Sequence, residues 1–182
     1  MRMRRVLLVG AVVLLAQGFL PGLLPAGESR QEDEQQGKTV YKVNVAVREA
    51  ANRVVEGVVR GHTLRIDQPR EFGADDSAPT PPETLAFALG SCVVSTGRLI
   101  ALQKNMNVRS LAADVECELD FANALGISQQ TRAGFSGFEI VVTVDADWTV
   151  AEKEAFLQEI ASRCPMCDNL ANPTPIAYEI GE

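Results

Sequence analysis

Apolar and polar residues alternate along several short stretches of the chain, which is the period-2 pattern of strands with one buried face. Along residues 113–120, every odd position is apolar and every even position is acidic. The pair Arg60-Gly61 separates two of these stretches and favours a tight hairpin turn between them. The predicted strands are residues 41–47, 53–59, 62–67, 113–120, 137–145 and 175–180.

A long helix is predicted between the third and fourth strands. Thr80 and Glu83 form a Thr-x-x-Glu capping box, and Pro81-Pro82 occupies the first turn, where a missing N–H costs little. The helix is expected to run to about Lys104. Residues 84–97 have almost no polar face, so we expect this helix to be buried nearly all round, in part by a partner subunit.

Two further helices complete the predicted elements. Thr149 and Glu152 form a second capping box, which starts a helix that ends near Cys164-Pro165. A short helix then extends through Leu170. The order βββ-α-ββ-α-β, with hairpin-like connections, favours an α+β fold with antiparallel sheets over a parallel α/β sheet.

The N-terminal 38 residues differ in composition from the rest of the chain. Residues 1–26 have a basic start, an apolar run and then helix breakers, which is the layout of a signal peptide. The uncharged run 6–24 also approaches the ~20 residues that span a bilayer, so a retained membrane anchor is the alternative. Both predict an exported domain, periplasmic or extracellular. Residues 27–38 are expected to form a polar linker, and residues 39–182 the folded domain.

Charge and histidine content exclude several classes of function. The chain has a formal net charge of −7, and because Arg2, Arg4 and Arg5 precede residue 27, residues 27–182 carry ten net negative charges. Such a surface repels phosphate backbones, so nucleic-acid binding is not expected. The single histidine, His62, excludes multi-histidine metal sites. Cysteine is therefore the residue from which chemistry is expected.

The four cysteines divide into two groups by their pattern. Cys117 lies on the apolar face of an alternating strand and is interpreted as a core residue. Cys92 lies in the middle of the long helix, whereas Cys164 and Cys167 form a Cys-Pro-Met-Cys motif at a helix end. A Cys-x-x-Cys motif alone is compatible with redox, metal or structural roles. Zinc is disfavoured, because few other ligands remain to complete a site.

Two segments carry a resemblance to a known family. The run PREFGADDSAPTPPETLAFALGSC, which ends at Cys92, and the run CPMCDNLANPTPIAYEI, which begins at Cys164, resemble the OsmC/Ohr family of thiol peroxidases. The resemblance implies an α+β homodimer of two intertwined chains with the cysteine helices at its centre. It also implies that two cysteines suffice for activity, without a metal or another cofactor.

The resemblance further implies a mechanism. Cys92 would attack an organic hydroperoxide, and Cys164 would resolve the resulting sulfenic acid as a disulfide, which an external dithiol reduces. An arginine from an early strand, held by a glutamate at the helix entry, would stabilise the thiolate. Arg53 is the candidate arginine, with Arg48 as the alternative, and Glu83 is the candidate glutamate.

Two features depart from the commonest family pattern. Glu83 lies one residue nearer to Cys92 than the corresponding residue of the Ohr branch, which favours the broader OsmC-like branch. At about 100° per residue it also lies about half a turn from Cys92 around the helix. Cys167 is an additional thiol, which would compete with Cys164 for the sulfenic acid or hold it in a second disulfide.

Two other functions stay open from the sequence. One is a non-catalytic protein that binds a lipid or another apolar small molecule in a buried pocket of the dimer, for which Cys92 would be dispensable. The other is a dithiol oxidoreductase or redox sensor that uses Cys164 and Cys167, which an oxidising location would favour.

Overall fold

The computed structural model describes residues 39–181. The signal peptide or anchor predicted for residues 1–26 and the linker predicted for residues 27–38 lie outside the described residues. Val45–Glu182 forms one compact unit, and residues 39–44 fall outside it.

The first sheet contains three antiparallel strands in the order β1-β2-β3: β1 (Ala46–Glu49), β2 (Val55–Val59) and β3 (His62–Ile66). The predicted hairpin turn is confirmed, because Arg60 and Gly61 both have positive φ, at 50° and 82°, as a type I′ turn requires. The predicted start of the first strand at Tyr41 is wrong. Only residues 46–49 pair with β2, and all four are exposed.

Arg53 does not lie on a strand, contrary to the prediction. Residues 51–53 form a single 3₁₀ turn between β1 and β2, in which Asn52 and Arg53 have φ of 55° and 66°. These left-handed angles are incompatible with a β ladder, so β2 begins two residues later, at Val55. Asparagine tolerates this left-handed conformation better than most residues do, which explains why the chain turns at Asn52.

The second sheet is a ribbon of two antiparallel strands, β4 (Ser110–Glu118) and β5 (Gly137–Asp145). The predicted alternation is confirmed: alternate residues of each strand are exposed, and the apolar residues between them lie opposite one another on the inner face. The inner pairs are Leu111 with Val144, Ala113 with Val142, Val115 with Ile140, and Cys117 with Phe138.

Three helices follow the predicted pattern closely: α1 (Pro81–Gln103), α2 (Val150–Arg163) and α3 (Pro165–Ala171). Both capping boxes are formed, by Thr80 with Glu83 and by Thr149 with Glu152. Helix α1 packs across β4 and against α2 and α3. The architecture is therefore a mixed α and antiparallel β fold in which α1 is central.

The core lies where α1, α2 and the β4–β5 ribbon meet. Ile100 is fully buried there, and Phe156 and Ile160 are each 2% exposed. The helices approach so closely that a Cβ added to Gly97 would lie 2.9 Å from Cδ1 of Ile160. Glycine at this position therefore permits the close crossing of α1 and α2.

Within one chain, helix α1 is buried on one side only, so the nearly complete burial predicted from the sequence stays a prediction that requires a partner subunit. Phe87 is 75% exposed and Leu102 is 68% exposed. By length and composition α1 could cross a bilayer. Its packing against β4, α2 and α3 instead identifies it as the core helix of this fold.

The strand predicted at residues 175–180 is absent from the described chain. Residues 173–181 have no regular secondary structure. The apolar positions of the alternating pattern, Ile176, Tyr178 and Ile180, are 75%, 90% and 100% exposed. An alternating pattern forms a strand only where a neighbouring strand pairs with it, and none of the described strands pairs with this segment.

We expect Ile100→Ala to lower the free energy of unfolding by about 2–5 kcal/mol, because it removes three fully buried carbons from the centre of the core. The matched control is Leu102→Ala on the same helix, whose side chain is mostly exposed and whose loss should cost less than about 1 kcal/mol. Urea denaturation followed by circular dichroism measures both. Equal losses in the two variants would contradict the placement of the core.

Candidate functional site

The candidate site is built around two thiols from different parts of the chain. Cys92 lies near the middle of α1. Cys164 lies at the corner between α2 and α3, where it is at once the C-cap of one helix and the N-cap of the next. Pro165 explains the corner: a residue before proline is disfavoured in helical conformation, and Cys164 is extended, at φ −81° and ψ 113°.

Three groups hydrogen-bond to the thiol of Cys92. They are the thiol of Cys164, the backbone N–H of Met166 and the hydroxyl of Thr96. Thr96 lies one turn further along α1, and Met166 lies in the first turn of α3. The corner between α2 and α3 therefore brings Cys164 and a backbone donor to Cys92 together.

Burial raises the pKa of Cys92 above the usual range for cysteine. Desolvation is the largest cause, since removal from water disfavours the thiolate. The N–H of Met166 and the hydroxyl of Thr96 oppose it by donating to the sulfur, whereas the hydrogen bond with Cys164 keeps the proton on Cys92. This geometry favours the neutral thiol of Cys92 over the thiolate.

The thiols differ in their access to solvent. Cys164 is 1% exposed and belongs to the hydrophobic core, whereas Cys92 and Cys167 are partly exposed. All four cysteines of the chain are free thiols in this structure. Cys117, interpreted from the sequence as a core residue, is partly exposed on the inner face of β4 and lies apart from the other three on the wall of a large cavity.

Arg53 and Glu83 are not brought to the thiols in this chain. The guanidinium of Arg53 donates to the backbone carbonyl of Phe72. The carboxylate of Glu83 accepts from the N–H of Thr80, at 2.7 Å, and from its hydroxyl, at 2.9 Å, and these bonds lower the pKa of Glu83. Neither residue is among the groups that act on Cys92.

The alternative arginine, Arg48, lies on the exposed strand β1, opposite Glu56 of β2. Among the described residues, the main causes of the pKa shift of Cys92 include hydrogen-bond donors and no cationic side chain.

Two cavities lie on different faces of α1. The larger, of about 1150 Å³, is lined by Phe87, Gly90 and Val94 of the helix, and it also borders Glu83 and Cys117. Cys92, Cys164 and Cys167 are not among its lining residues. Size alone would identify this cavity as the binding site, but the thiol chemistry lies elsewhere.

The smaller cavity, of about 550 Å³, lies beside the thiols. Leu85 and Leu89 of α1 and Cys167 of α3 line it. Cys92 follows Leu89 by three residues, so it lies one helical turn beyond this wall on the same face of α1. The rest of the lining is largely apolar, with one charged side chain: Arg132, Gly134, Phe135, Ser136, Gly137, Phe138, Ile140, Leu170 and Ala171.

Sequence reasoning missed three contributors to the site. Thr96 lies four residues after Cys92 in the predicted helix, so helical spacing alone could have identified it. The N–H of Met166 and the position of Arg132 carried no such signal. The N–H of Met166 reaches Cys92 because of the corner at Cys164, and Arg132 reaches the cavity from the irregular segment between β4 and β5.

The described residues contain no group of three or more His, Cys, Asp or Glu side chains placed to hold a metal ion. The chemistry available to residues 39–181 is therefore that of a thiol pair beside an apolar cavity.

Comparison with solved structures shows the same fold in other proteins. An OsmC-like protein from Mycoplasma pneumoniae is 15% identical, with a TM-score of 0.64 over 73% of this chain and 89% of that chain. An organic hydroperoxide resistance protein from Legionella pneumophila is 20% identical, with a TM-score of 0.56 over 72% of this chain and 90% of that one. A third, the organic hydroperoxide resistance protein OhrB of Bacillus subtilis, is 14% identical, with a TM-score of 0.51 over 73% of this chain and 93% of that chain.

Sequence comparison gives the family. No curated protein matches the chain. The family model of OsmC-like proteins matches residues 73–179, more than half of the chain, including α1 with Cys92 and the corner at Cys164. The chain is therefore a member of the OsmC-like protein family.

Proposed function

We propose that this protein is a thiol-dependent peroxidase that reduces organic hydroperoxides to alcohols. The observation that carries the proposal is the contact between the partly exposed thiol of Cys92 and the buried thiol of Cys164. Membership of the OsmC-like family, in which solved structures include organic hydroperoxide resistance proteins, supports the same class of chemistry.

The reaction is a two-electron reduction of the peroxide by two thiols. The thiolate of Cys92 attacks the distal oxygen, the O–O bond breaks, and the alkoxide takes up a proton and leaves as an alcohol. Cys92 is then a sulfenic acid. The thiol of Cys164 attacks its sulfur, water leaves, and a disulfide joins the two cysteines.

An external dithiol returns the protein to its reduced form. It supplies two electrons and two protons to the disulfide through a mixed-disulfide intermediate and is itself oxidised. The proposal requires no metal and no organic cofactor. It also requires that the reductant occurs where the protein is located, which we propose is outside the cytoplasm, on the basis of residues 1–26.

The lining of the smaller cavity favours an organic substrate over hydrogen peroxide. Leu85, Leu89, Phe138, Ile140 and Leu170 present apolar surface to any molecule that approaches Cys92 from this side. Apolar walls with a few polar groups are typical of small-molecule sites. Arg132, the charged residue of this lining, offers a donor for the peroxide oxygens.

A homodimer is part of the proposal. The exposed side chain of Phe87 lies on the wall of the larger cavity, and Leu102 and the C-terminal Ile176 and Tyr178 are also mostly exposed. So much apolar surface on one chain is typical of a surface that a partner covers. A second copy of the chain lying against α1 would bury it and complete the enclosure that the sequence predicts.

The central test is disulfide mapping. After one equivalent of cumene hydroperoxide, we expect the reduced protein to form a Cys92–Cys164 disulfide within seconds, detected by mass spectrometry after acid quenching. Cys92→Ser should leave the peroxide unconsumed, because the nucleophile is lost. Cys164→Ser should still consume it and leave Cys92 as a sulfenic acid that dimedone traps. The matched control is Cys117→Ser, on a different cavity. A wild type that consumes no peroxide and keeps Cys92 reduced at every time point would refute the proposal.

The raised pKa of Cys92 predicts a steep pH dependence of its reactivity. Only the thiolate reacts, so below this pKa the rate of alkylation by iodoacetamide should rise about tenfold per pH unit from pH 6 to pH 8. Arg53→Met should give the same profile, since Arg53 is bonded to the Phe72 carbonyl. A plateau below pH 8 in the wild type that is lost in Arg53→Met would instead place Arg53 at the thiol in solution, as the family resemblance implies.

The proposed dimer is tested by placing a charge on the exposed face of α1. We expect the wild type to sediment with twice the mass of one chain in analytical ultracentrifugation, and Phe87→Asp to shift it to a monomer, because a carboxylate would then be buried at the interface. Val150→Asp is the control, since Val150 is 72% exposed but lies at the start of α2. A wild type that sediments as a monomer would rule out this assembly.

A further inference from the structure

A third thiol lies beside the pair that the proposed function uses. Cys164 is the N-cap of α3 and Cys167 is the third residue of that helix. Both pack in or against the same hydrophobic core, as does Cys92. Three of the chain's four cysteines therefore converge on one corner of the fold, with Cys164 linked to Cys92 by contact and to Cys167 by one helical turn.

The spacing of Cys164 and Cys167 allows a disulfide between them. Cys164 caps α3 with an extended backbone, and Cys167 lies in the first turn of that helix, so only two residues separate them. A disulfide needs their Cβ atoms about 3.5–4.5 Å apart. The first turn of α3 can adjust to this separation, because α3 has only seven residues and none of them is buried.

The three thiols differ in their access to solvent, because Cys164 is 1% exposed whereas Cys92 and Cys167 are both partly exposed. A dithiol in solution therefore reaches a Cys92–Cys164 disulfide through Cys92 and a Cys164–Cys167 disulfide through Cys167. Cys167 lines the cavity of about 550 Å³, whereas Cys92 and Cys164 are not among its lining residues. A reductant that enters this cavity meets Cys167 first.

We propose that Cys167 is a relay thiol, which moves the disulfide from the Cys92–Cys164 pair to a Cys164–Cys167 pair on the wall of the cavity. The proposal rests on the peroxidase function proposed above. The thiolate of Cys167 attacks the sulfur of Cys164, the Cys92–Cys164 bond breaks, and Cys92 leaves as a thiolate that takes up a proton. The number of disulfides and the oxidation state of the protein do not change in this step, so no further reactant is needed.

One charged side chain among the described residues lines the same cavity as Cys167, and it belongs to Arg132. The carboxylate of Asp168, which follows Cys167 in the chain, accepts a hydrogen bond from the side-chain amide of Asn172, at 2.9 Å.

The relay would separate the two halves of the catalytic cycle. Transfer of the disulfide to Cys167 regenerates the thiol of Cys92 beside the substrate cavity before the reductant arrives. The reductant then attacks at Cys167 and forms its mixed disulfide there, on the cavity wall, instead of in the core.

The test follows the disulfides over time in the full-length protein. Reduced wild type is mixed with one equivalent of cumene hydroperoxide, quenched in acid at intervals to stop thiol exchange, and mapped by mass spectrometry. We expect the Cys92–Cys164 bond to form first and then to convert to Cys164–Cys167, with one disulfide per chain throughout. Cys167→Ser and Cys167→Ala should both stop at Cys92–Cys164, and dithiothreitol should reduce that bond at least tenfold more slowly than it reduces the final wild-type disulfide.

The controls separate failure of the relay from failure of the peroxidase. Cys117→Ser should follow the wild-type course. If Cys92–Cys164 forms and persists in the wild type with Cys167 as a free thiol, the relay is refuted and the peroxidase stands. If Cys164–Cys167 forms at the wild-type rate in Cys92→Ser, that bond does not come from Cys92 and the relay is again refuted. If no peroxide is consumed and Cys92 stays reduced, the peroxidase fails, and the relay fails with it.

Discussion

The contact between α1 and the corner at Cys164-Pro165 is the constraint on which the site depends. Proline at position 165 ends α2, sets the extended backbone of Cys164 and starts α3. Without this corner, one continuous helix would carry Cys164 and Met166 past Cys92 in a different orientation. The same corner places the thiol of Cys164 and the N–H of Met166 at one sulfur. The backbone restriction that Pro165 imposes thus brings Cys164 into contact with Cys92, which is 72 positions earlier in the sequence.

Burial at this corner has opposing consequences for reactivity. It holds Cys164 next to Cys92, which favours rapid resolution of a sulfenic acid, and it excludes water from the core. It also raises the pKa of Cys92, because the thiolate loses hydration that two hydrogen-bond donors replace only in part. A positive charge near the sulfur would oppose this effect, because it favours the thiolate. In this chain Arg53 is bonded to the Phe72 carbonyl, and Arg132 lines the cavity beside the thiols.

The sequence predicted the elements whose signals are local. The two capping boxes, the turn at Arg60-Gly61 and the alternation of β4 and β5 involve residues within a few positions of one another, and all are confirmed. The pairing of Cys92 with Cys164 came from the family resemblance, since nothing in the local pattern links residues 72 positions apart.

The predictions that failed depend on partners that a local pattern does not reveal. Residues 175–180 alternate like a strand, but a strand needs a neighbour to pair with, and none of the described strands provides one. Arg53 lies in an apparent run of strand residues, yet positive φ at Asn52 and Arg53 turns the backbone before β2. The hydrogen bond from the N–H of Met166 could not be predicted from the sequence, because residue type does not distinguish one backbone donor from another. The burial of α1 nearly all round stays a prediction, because it includes cover by a partner subunit and a single chain leaves Phe87 exposed.

The two faces of α1 explain why one helix can be both the centre of the chemistry and an exposed apolar surface. The face with Leu85, Leu89 and Cys92 leads from the smaller cavity to the thiols, and the face with Phe87 and Val94 opens on the larger one. A polar side chain on the first face would disturb the core around the thiols, whereas the second face carries Ser91 and Ser95 beside Phe87 on the cavity wall. The apolar residues of α1 therefore follow from core packing on one face, and the exposed apolar residues of the other face are the surface that the dimer proposed above would cover.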